Sequence, residues 1–137
     1  MSGQIGDAEY RRLLEFRTSL RRFLRWSQDQ ATAVGLTPAQ HQLLLAIRGH
    51  EDPRGPTIGE AAGYLLLRHH STVELVDRAV AAGLVERAGD PDDERVVRLR
   101  LTPTGVARLE LLVELHLEEL LRLAPMMQVV WRDLEEI

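Results

Sequence analysis

Apolar residues recur three and four positions apart along most of this chain. Between residues 7 and 34, Leu13, Phe16, Leu20, Phe23, Leu24, Ala31 and Val34 follow that spacing, with Ser27 in step and no Pro or Gly between them. The pattern predicts one long amphipathic helix. Gly35 ends it, and Thr37-Pro38-Ala39-Gln40 restarts the chain, with Thr37 as N-cap, Pro38 in the first helical position and Gln40 closing a capping box. The second helix runs to about residue 48 with Leu43, Leu44, Ala46 and Ile47 inward, which leaves His41 and His50 outside the apolar cluster. A breaker-rich loop over residues 49–56 leads to a second capping box, Thr57-Ile58-Gly59-Glu60. The helix it opens, residues 58–65, turns Ile58, Ala61, Ala62 and Leu65 inward, and Ala62 and Gly63 are small enough for a close neighbour.

After a turn through Leu66 and Leu67, residues 68–82 form an amphipathic helix with Val73, Val76, Ala79 and Val80 as its buried stripe. Arg68, His69, His70, Thr72 and Glu74 fall on its outward face. Ser71-x-x-Glu74 is a second possible capping box, so the helix could also begin after Ser71. Gly83 stops it, and β-rich runs at 84–87 and 96–101 flank a polar turn over 88–95. Thr102-Pro103 then starts a helix to about residue 124, Pro125 is expected to break or kink it, and a short helix over 126–136 ends the chain.

Two tightly joined helices followed by a hairpin with a charged tip make a winged helix-turn-helix. The expected fold is therefore mainly α with a small β-hairpin wing. Residues 37–102 form the winged helix-turn-helix, and 7–34 with 103–137 form a helical dimerisation bundle within a single domain, 1–137. The bundle is inferred because the first and last helices are more apolar and longer than a compact reading head requires. In such a layout the second helix of the pair fits a DNA major groove, and the hairpin reaches the neighbouring minor groove.

Composition changes this picture in two ways. The chain has no Cys, which excludes disulfides, thiolate metal sites and thiol switches. It shows no signal-type apolar run and no stretch of about 20 apolar residues that could span a bilayer; a cytoplasmic protein without membrane contact is expected. The formal net charge of −4 is unfavourable for a polyanion partner. All 17 basic residues are Arg, however, and residues 103–137 alone hold three Arg against seven acids. The rest of the chain balances at 14 of each, and a nucleic acid senses the local patch within a Debye length of about 8–10 Å. Arg11, Arg12, Arg17, Arg21, Arg22 and Arg25 line the first helix, either as a solvated face or as contacts to phosphate or an acidic partner.

Six stretches stand in a characteristic order along the chain: Leu36-Thr37-Pro38-Ala39-Gln40, Ser71-Thr72-Val73, Leu75-Val76-Asp77-Arg78, Gly83-Leu84-Val85-x-Arg87, Asp90-Pro91-x-Asp93-x-Arg95 and Leu101-Thr102-x-x-Gly105. Through them the chain resembles the MarR family (multiple antibiotic resistance regulators) of dimeric bacterial transcription factors. The resemblance implies a ligand-responsive repressor that acts as a homodimer on a pseudo-palindromic double-stranded DNA operator. Within that reading Arg95, at the wing tip, suits a narrow minor groove, and Asp93 would fix its geometry through a charge-assisted pair. Arg98 and Arg100 alternate along one strand face and suit phosphates, or guard an edge strand. Arg68 can fork onto guanine, His69 or His70 can donate to a base or phosphate, and Ser71 and Thr72 suit phosphate oxygens. Arg68-His69-His70 departs from the small polar residues that many relatives carry there, so base preference does not transfer. Asp77 and Arg78 are expected to pair within the molecule, tying helix to wing.

Trp26 either packs or lines a pocket for a small aromatic or anionic effector, a role that the resemblance suggests. No cofactor motif, nucleophile elbow, phosphate loop or His-Glu-x-x-His occurs, so no catalytic or metal residue and no enzyme activity is expected; His116 and Glu119 share a helix face without an evident third ligand. The alternative to a DNA reader is a winged-helix module that binds a protein partner through its acidic surface.

Overall fold

The computed structural model describes residues 3–135; the expected last position of the final helix, Glu136, lies outside them, as do Met1 and Ser2. The elements are α1 (Asp7–Ala33), α2 (Pro38–Gly49), α3 (Ile58–Leu65), α4 (His69–Ala81), β1 (Val85–Gly89), β2 (Val97–Leu101) and α5 (Pro103–Glu135).

Both capping boxes form. Thr37 Oγ1 accepts from the Gln40 N–H at 3.1 Å while Gln40 Oε1 accepts from the Thr37 N–H at 3.0 Å. Thr57 and Glu60 repeat the exchange at 3.1 and 3.0 Å. Each box satisfies helix N–H groups that have no intrahelical partner. At the start of α5, Thr102 Oγ1 accepts from the Gly105 N–H at 3.1 Å and donates to the Gly83 carbonyl at 2.6 Å, so one hydroxyl caps the helix and ties it to the end of α4.

Leu43, Leu44 and Ile47 of α2 meet Ala61 of α3, Val76 and Ala79 of α4, Leu84, Leu99 of β2, and Leu109 and Leu112 of α5 in one core. Leu43, Leu44, Leu84, Leu99 and Leu112 are fully enclosed, each contributing roughly 1.5–3 kcal/mol of burial. β1 and β2 pair antiparallel, from Val85 opposite Leu101 to Gly89 opposite Val97. The strands reach two residues beyond the expected end of the first run. The segment before α3 adds to the outer side of β2, with the Leu99 N–H donating to the Pro56 carbonyl at 2.8 Å and a single bridge between Thr57 and Arg98. Two glycines permit close approaches here. A Cβ on Gly55 would stand 2.0 Å from the Leu99 carbonyl oxygen, and one on Gly105 would stand 2.2 Å from that of Leu84.

Several expectations are corrected. α5 runs unbroken through Pro125. Pro125 has no N–H to donate, so the helix forgoes one i→i−4 bond there and continues with the proline on its exposed side. Gly63 is exposed with nothing near it, so only Ala62 serves the close packing of the turn. α4 starts at His69 with Arg68 as N-cap, which excludes the later start at Ser71. Its buried residues are Thr72, Leu75, Val76 and Ala79, with Val73 and Val80 only partly covered.

Candidate nucleic-acid interface

The exposed face at the start of α4 carries Arg68, His69 and His70, with Ser71 half-buried beside them. Arg68 occupies the N-cap position without a side-chain hydrogen bond to the helix, so its guanidinium is not spent on capping. The chain enters α4 through Leu66, a left-handed residue at φ 55°. Thr72 does not belong to this face. It is fully buried, and its hydroxyl donates to the Arg68 carbonyl at 3.0 Å. A threonine one turn before Val76 extends the inward stripe, and the local bond satisfies its hydroxyl there. The expected phosphate contact from Thr72 is therefore corrected.

The hairpin tip brings Asp93 and Arg95 together as expected. Asp93 Oδ1 accepts from the Arg95 N–H at 3.0 Å and from Nε at 3.1 Å, and Oδ2 accepts from Nη2 at 3.2 Å. These bonds hold the Asp93 carboxyl below the usual carboxylate range. They also fix the guanidinium while the Arg95 side chain stays 89% exposed.

Arg98 behaves differently from its expected role. Its side chain is 14% exposed and turned inward, donating from Nε to Asp90 Oδ2 at 2.6 Å and from Nη1 to the Gly55 carbonyl at 2.9 Å. The expected phosphate contact from Arg98 is corrected, because its donors are committed to the protein itself; Arg100, paired opposite Glu86, is exposed. Around Arg98 lies a group of charges that sequence reading missed. Arg54 forks onto Asp52 through Nε and Nη2, and its Nη1 reaches Asp92 at 3.2 Å and Asp90 at 3.6 Å. The Arg98 bond first, then the Asp92 backbone N–H, lower the Asp90 pKa; Arg54 lowers that of Asp52. The only sequence signal was the concentration of Asp and Arg in two loops 38 residues apart, whose pairing requires the fold.

Asp77 of α4 pairs with Arg87 of β1, which is the helix-to-wing tie; Arg87, rather than Arg78, is its partner. Of the Arg row on α1, Arg12 lies 3.8 Å from Asp133, whereas Arg11, Arg17, Arg21, Arg22 and Arg25 are exposed.

At the seam of α1, α2 and α5, Trp26 packs against His116 with ring centroids 4.8 Å apart and planes tilted by 58°, and His41 approaches the same imidazole at 4.9 Å. His116 exchanges a hydrogen bond with Ser27 Oγ at 2.7 Å and donates from Nδ1 to the Leu112 carbonyl at 2.7 Å. His41, expected outside the apolar cluster, is buried at 7% exposure. Trp26 is thus packed against a histidine. It lies outside the apolar groove of about 760 Å³ between α1 and the second half of α5, where Leu14, Phe16, Leu20, Phe23, Leu123 and Met127 are among the lining residues. Among the described residues no cluster of three or more metal-ligating side chains occurs, and no helix is long and apolar enough to cross a membrane.

Burial first, and then the His116 ring, lower the His41 pKa below its ordinary value of 6.5. An unfolded His41 takes up a proton near pH 6.5 while the folded one resists, so its contribution to stability is complete above that pH and drains away as the pH falls below it. Urea midpoints are expected to drop between pH 7.5 and 5.5, and His41→Gln should flatten that drop; an unchanged slope in the variant would show that His41 is not the group responsible.

The geometry defines a winged helix-turn-helix protein, with an exposed arginine-histidine face on its second helix and an arginine held at the wing tip. Residues 34–96 match the MarR family. The HTH-type transcriptional regulator YsmB of Bacillus subtilis is 49% identical over 49 residues, 36% of this chain and 34% of that protein, so the matched stretch spans about a third of the relative. A MarR family protein from Bacillus stearothermophilus superposes with a TM-score of 0.74 at 25% identity, covering 97% of this chain and 95% of its own. A mutant MarR from E. coli, complexed with operator DNA, superposes with a TM-score of 0.67 at 20% identity over 96% of this chain and 99% of its own. Over nearly its whole length the chain shares the fold of these MarR family proteins, and the match to the family itself lies in residues 34–96.

Proposed function

We propose that the chain is a sequence-specific, double-stranded DNA-binding transcriptional regulator that acts as a homodimer on a pseudo-palindromic operator, as a ligand-responsive repressor. The observation that carries this reading is the fixed but exposed Arg95 at the wing tip, on the same unit as the open Arg68-His69-His70 face of α4. The shared fold with the operator-bound E. coli MarR supports it. Each α4 would enter a major groove, Arg68 and the two histidines would meet base edges or phosphates, and Arg95 would enter the adjoining minor groove. The half-buried Ser71 would bond phosphate alongside the backbone N–H groups at the start of α4.

Exposed apolar residues on α1 and α5, among them Leu13, Leu20, Leu117, Leu120, Val129 and Leu134, supply surface for a second copy. Two heads held by that bundle would address half-sites about 34 Å apart. An aromatic or anionic effector would act by changing their separation.

DNA selected from a random pool and titrated at two salt concentrations tests the reading. Affinity should fall steeply with salt, with a log–log slope of roughly 0.9 per phosphate contact, and Arg95→Ala should weaken binding by about 1–3 kcal/mol. No shift at either salt would favour the protein-binding alternative, and unchanged affinity in Arg95→Ala would remove the wing from the interface.

A further inference from the structure

We infer that Arg98 and Asp90 are positioning residues for DNA recognition: they clasp the base of the wing to the loop between α2 and α3 and thereby set where Arg95 points. This inference rests on the functional reading above, because it concerns the delivery of Arg95 to a minor groove.

A continuous run of bonds connects the loop to the tip. Arg98 on β2 holds the loop through the Gly55 carbonyl at 2.9 Å and holds Asp90 at the start of the turn at 2.6 Å. The other oxygen of Asp90 accepts from the Asp92 N–H at 2.7 Å, which fixes the first bend of the tip. The Asp90 N–H donates to the Val96 carbonyl, and the Val96 N–H to the Asp93 carbonyl, each at 3.1 Å, closing the turn from both sides. Asp93 then grips Arg95 through three bonds.

Burial separates the two ends of this run. The Asp90 and Arg98 side chains are 4% and 14% exposed, against 89% for Arg95. An isolated two-stranded hairpin is a loose object. Here Arg54 reinforces the clasp from the loop side, reaching Asp52, Asp90 and Asp92, and the Pro56 carbonyl bonds β2 directly. A guanidinium suits this role because its planar fork can serve a carboxylate and a carbonyl at once in fixed geometry. A tip held this way reaches the groove already ordered, so little conformational freedom is lost on binding.

A double-mutant cycle on the full chain with its selected DNA tests the clasp. In the wild type, Arg95→Ala should raise Kd by roughly 5- to 150-fold, the conversion of the cost of one groove contact. Arg98→Met removes the clasp at similar side-chain length, and Asp90→Asn neutralises its acceptor at nearly constant size. Each should lose much of that factor alone, and adding Arg95→Ala should then cost less than about threefold. A purely structural role would leave the Arg95→Ala factor the same in every background, and that result overturns the inference, as would wild-type affinity in both clasp variants. Absence of DNA binding by the wild type would instead overturn the functional reading. Thermal melts confirm that each variant is folded at the assay temperature, and if Arg98→Met unfolds, the milder Asp90→Asn decides.

Discussion

Gly55→Ala is expected to destabilise the protein by about 2–5 kcal/mol, the sum of about 1–2 for a left-handed residue carrying a Cβ and about 1–3 for overpacking. Two independent facts require glycine there. The residue sits at φ 91°, and an added Cβ would lie 2.0 Å from the Leu99 carbonyl oxygen, a backbone atom that cannot swing away. Relief would require the loop to leave β2, giving up the 2.8 Å bond between Leu99 and Pro56 and the Arg98 bond to the Gly55 carbonyl. Gly49→Ala is the control, since nothing lies within 4 Å of its Cβ position and it carries no positive φ. Urea unfolding should leave the control within about 0.5 kcal/mol of wild type. A loss below about 1 kcal/mol for Gly55→Ala would mean that the loop does not dock on the wing, and the clasp would lose its footing.

The loop illustrates which parts of this molecule its sequence disclosed. Signals that close within four residues could be read directly: the Thr37 and Thr57 boxes, the glycine after α4, and the Asp93–Arg95 pair each follow from neighbours whose backbone geometry is almost predetermined. Helical periodicity also located α1 to α4 and the span of α5, which the proline rule divided in two. It was weaker at deciding which stripe faces inward, because Thr72-Leu75-Val76-Ala79 and Val73-Val76-Val80 both fit the period and lie one step apart around α4. A threonine looked outward until its hydroxyl found a carbonyl in its own helix.

Long-range partners were the larger gap. Arg98 and Arg100 look equivalent along the chain, and only the return of residues 52–55 to the hairpin makes one an anchor and leaves the other exposed. His41 was misplaced for the same reason, since the imidazole it packs against lies on α5. Pro125 is a case of a local rule overridden: only one backbone bond is lost there, and the helix continues through it with the proline on its exposed side. The candidate DNA face was therefore readable at its exposed tips and not at the buried residues that aim them.

Leu112→Ala and Leu121→Ala should separate the two jobs of α5. Leu112 is fully buried in the core, so its truncation leaves a cavity and should cost about 2–5 kcal/mol. Leu121, nine residues along the same helix, is 76% exposed and touches too little of its own chain to matter to a monomer; there its loss should stay within about 0.5 kcal/mol. In the proposed homodimer the outcome differs, because apolar surface exposed on one copy is covered by the other. The unfolding midpoint of the wild type should then rise with protein concentration, as mass action requires when folding and association are linked. Leu121→Ala should weaken that dependence and shift sedimentation toward the monomer, whereas Leu112→Ala should lower the midpoint at every concentration. If the wild-type midpoint is independent of concentration and Leu121→Ala is silent, the exposed half of α5 is not a subunit interface. Two heads at a fixed spacing would then have no bundle to hold them, and recognition would reduce to single half-sites.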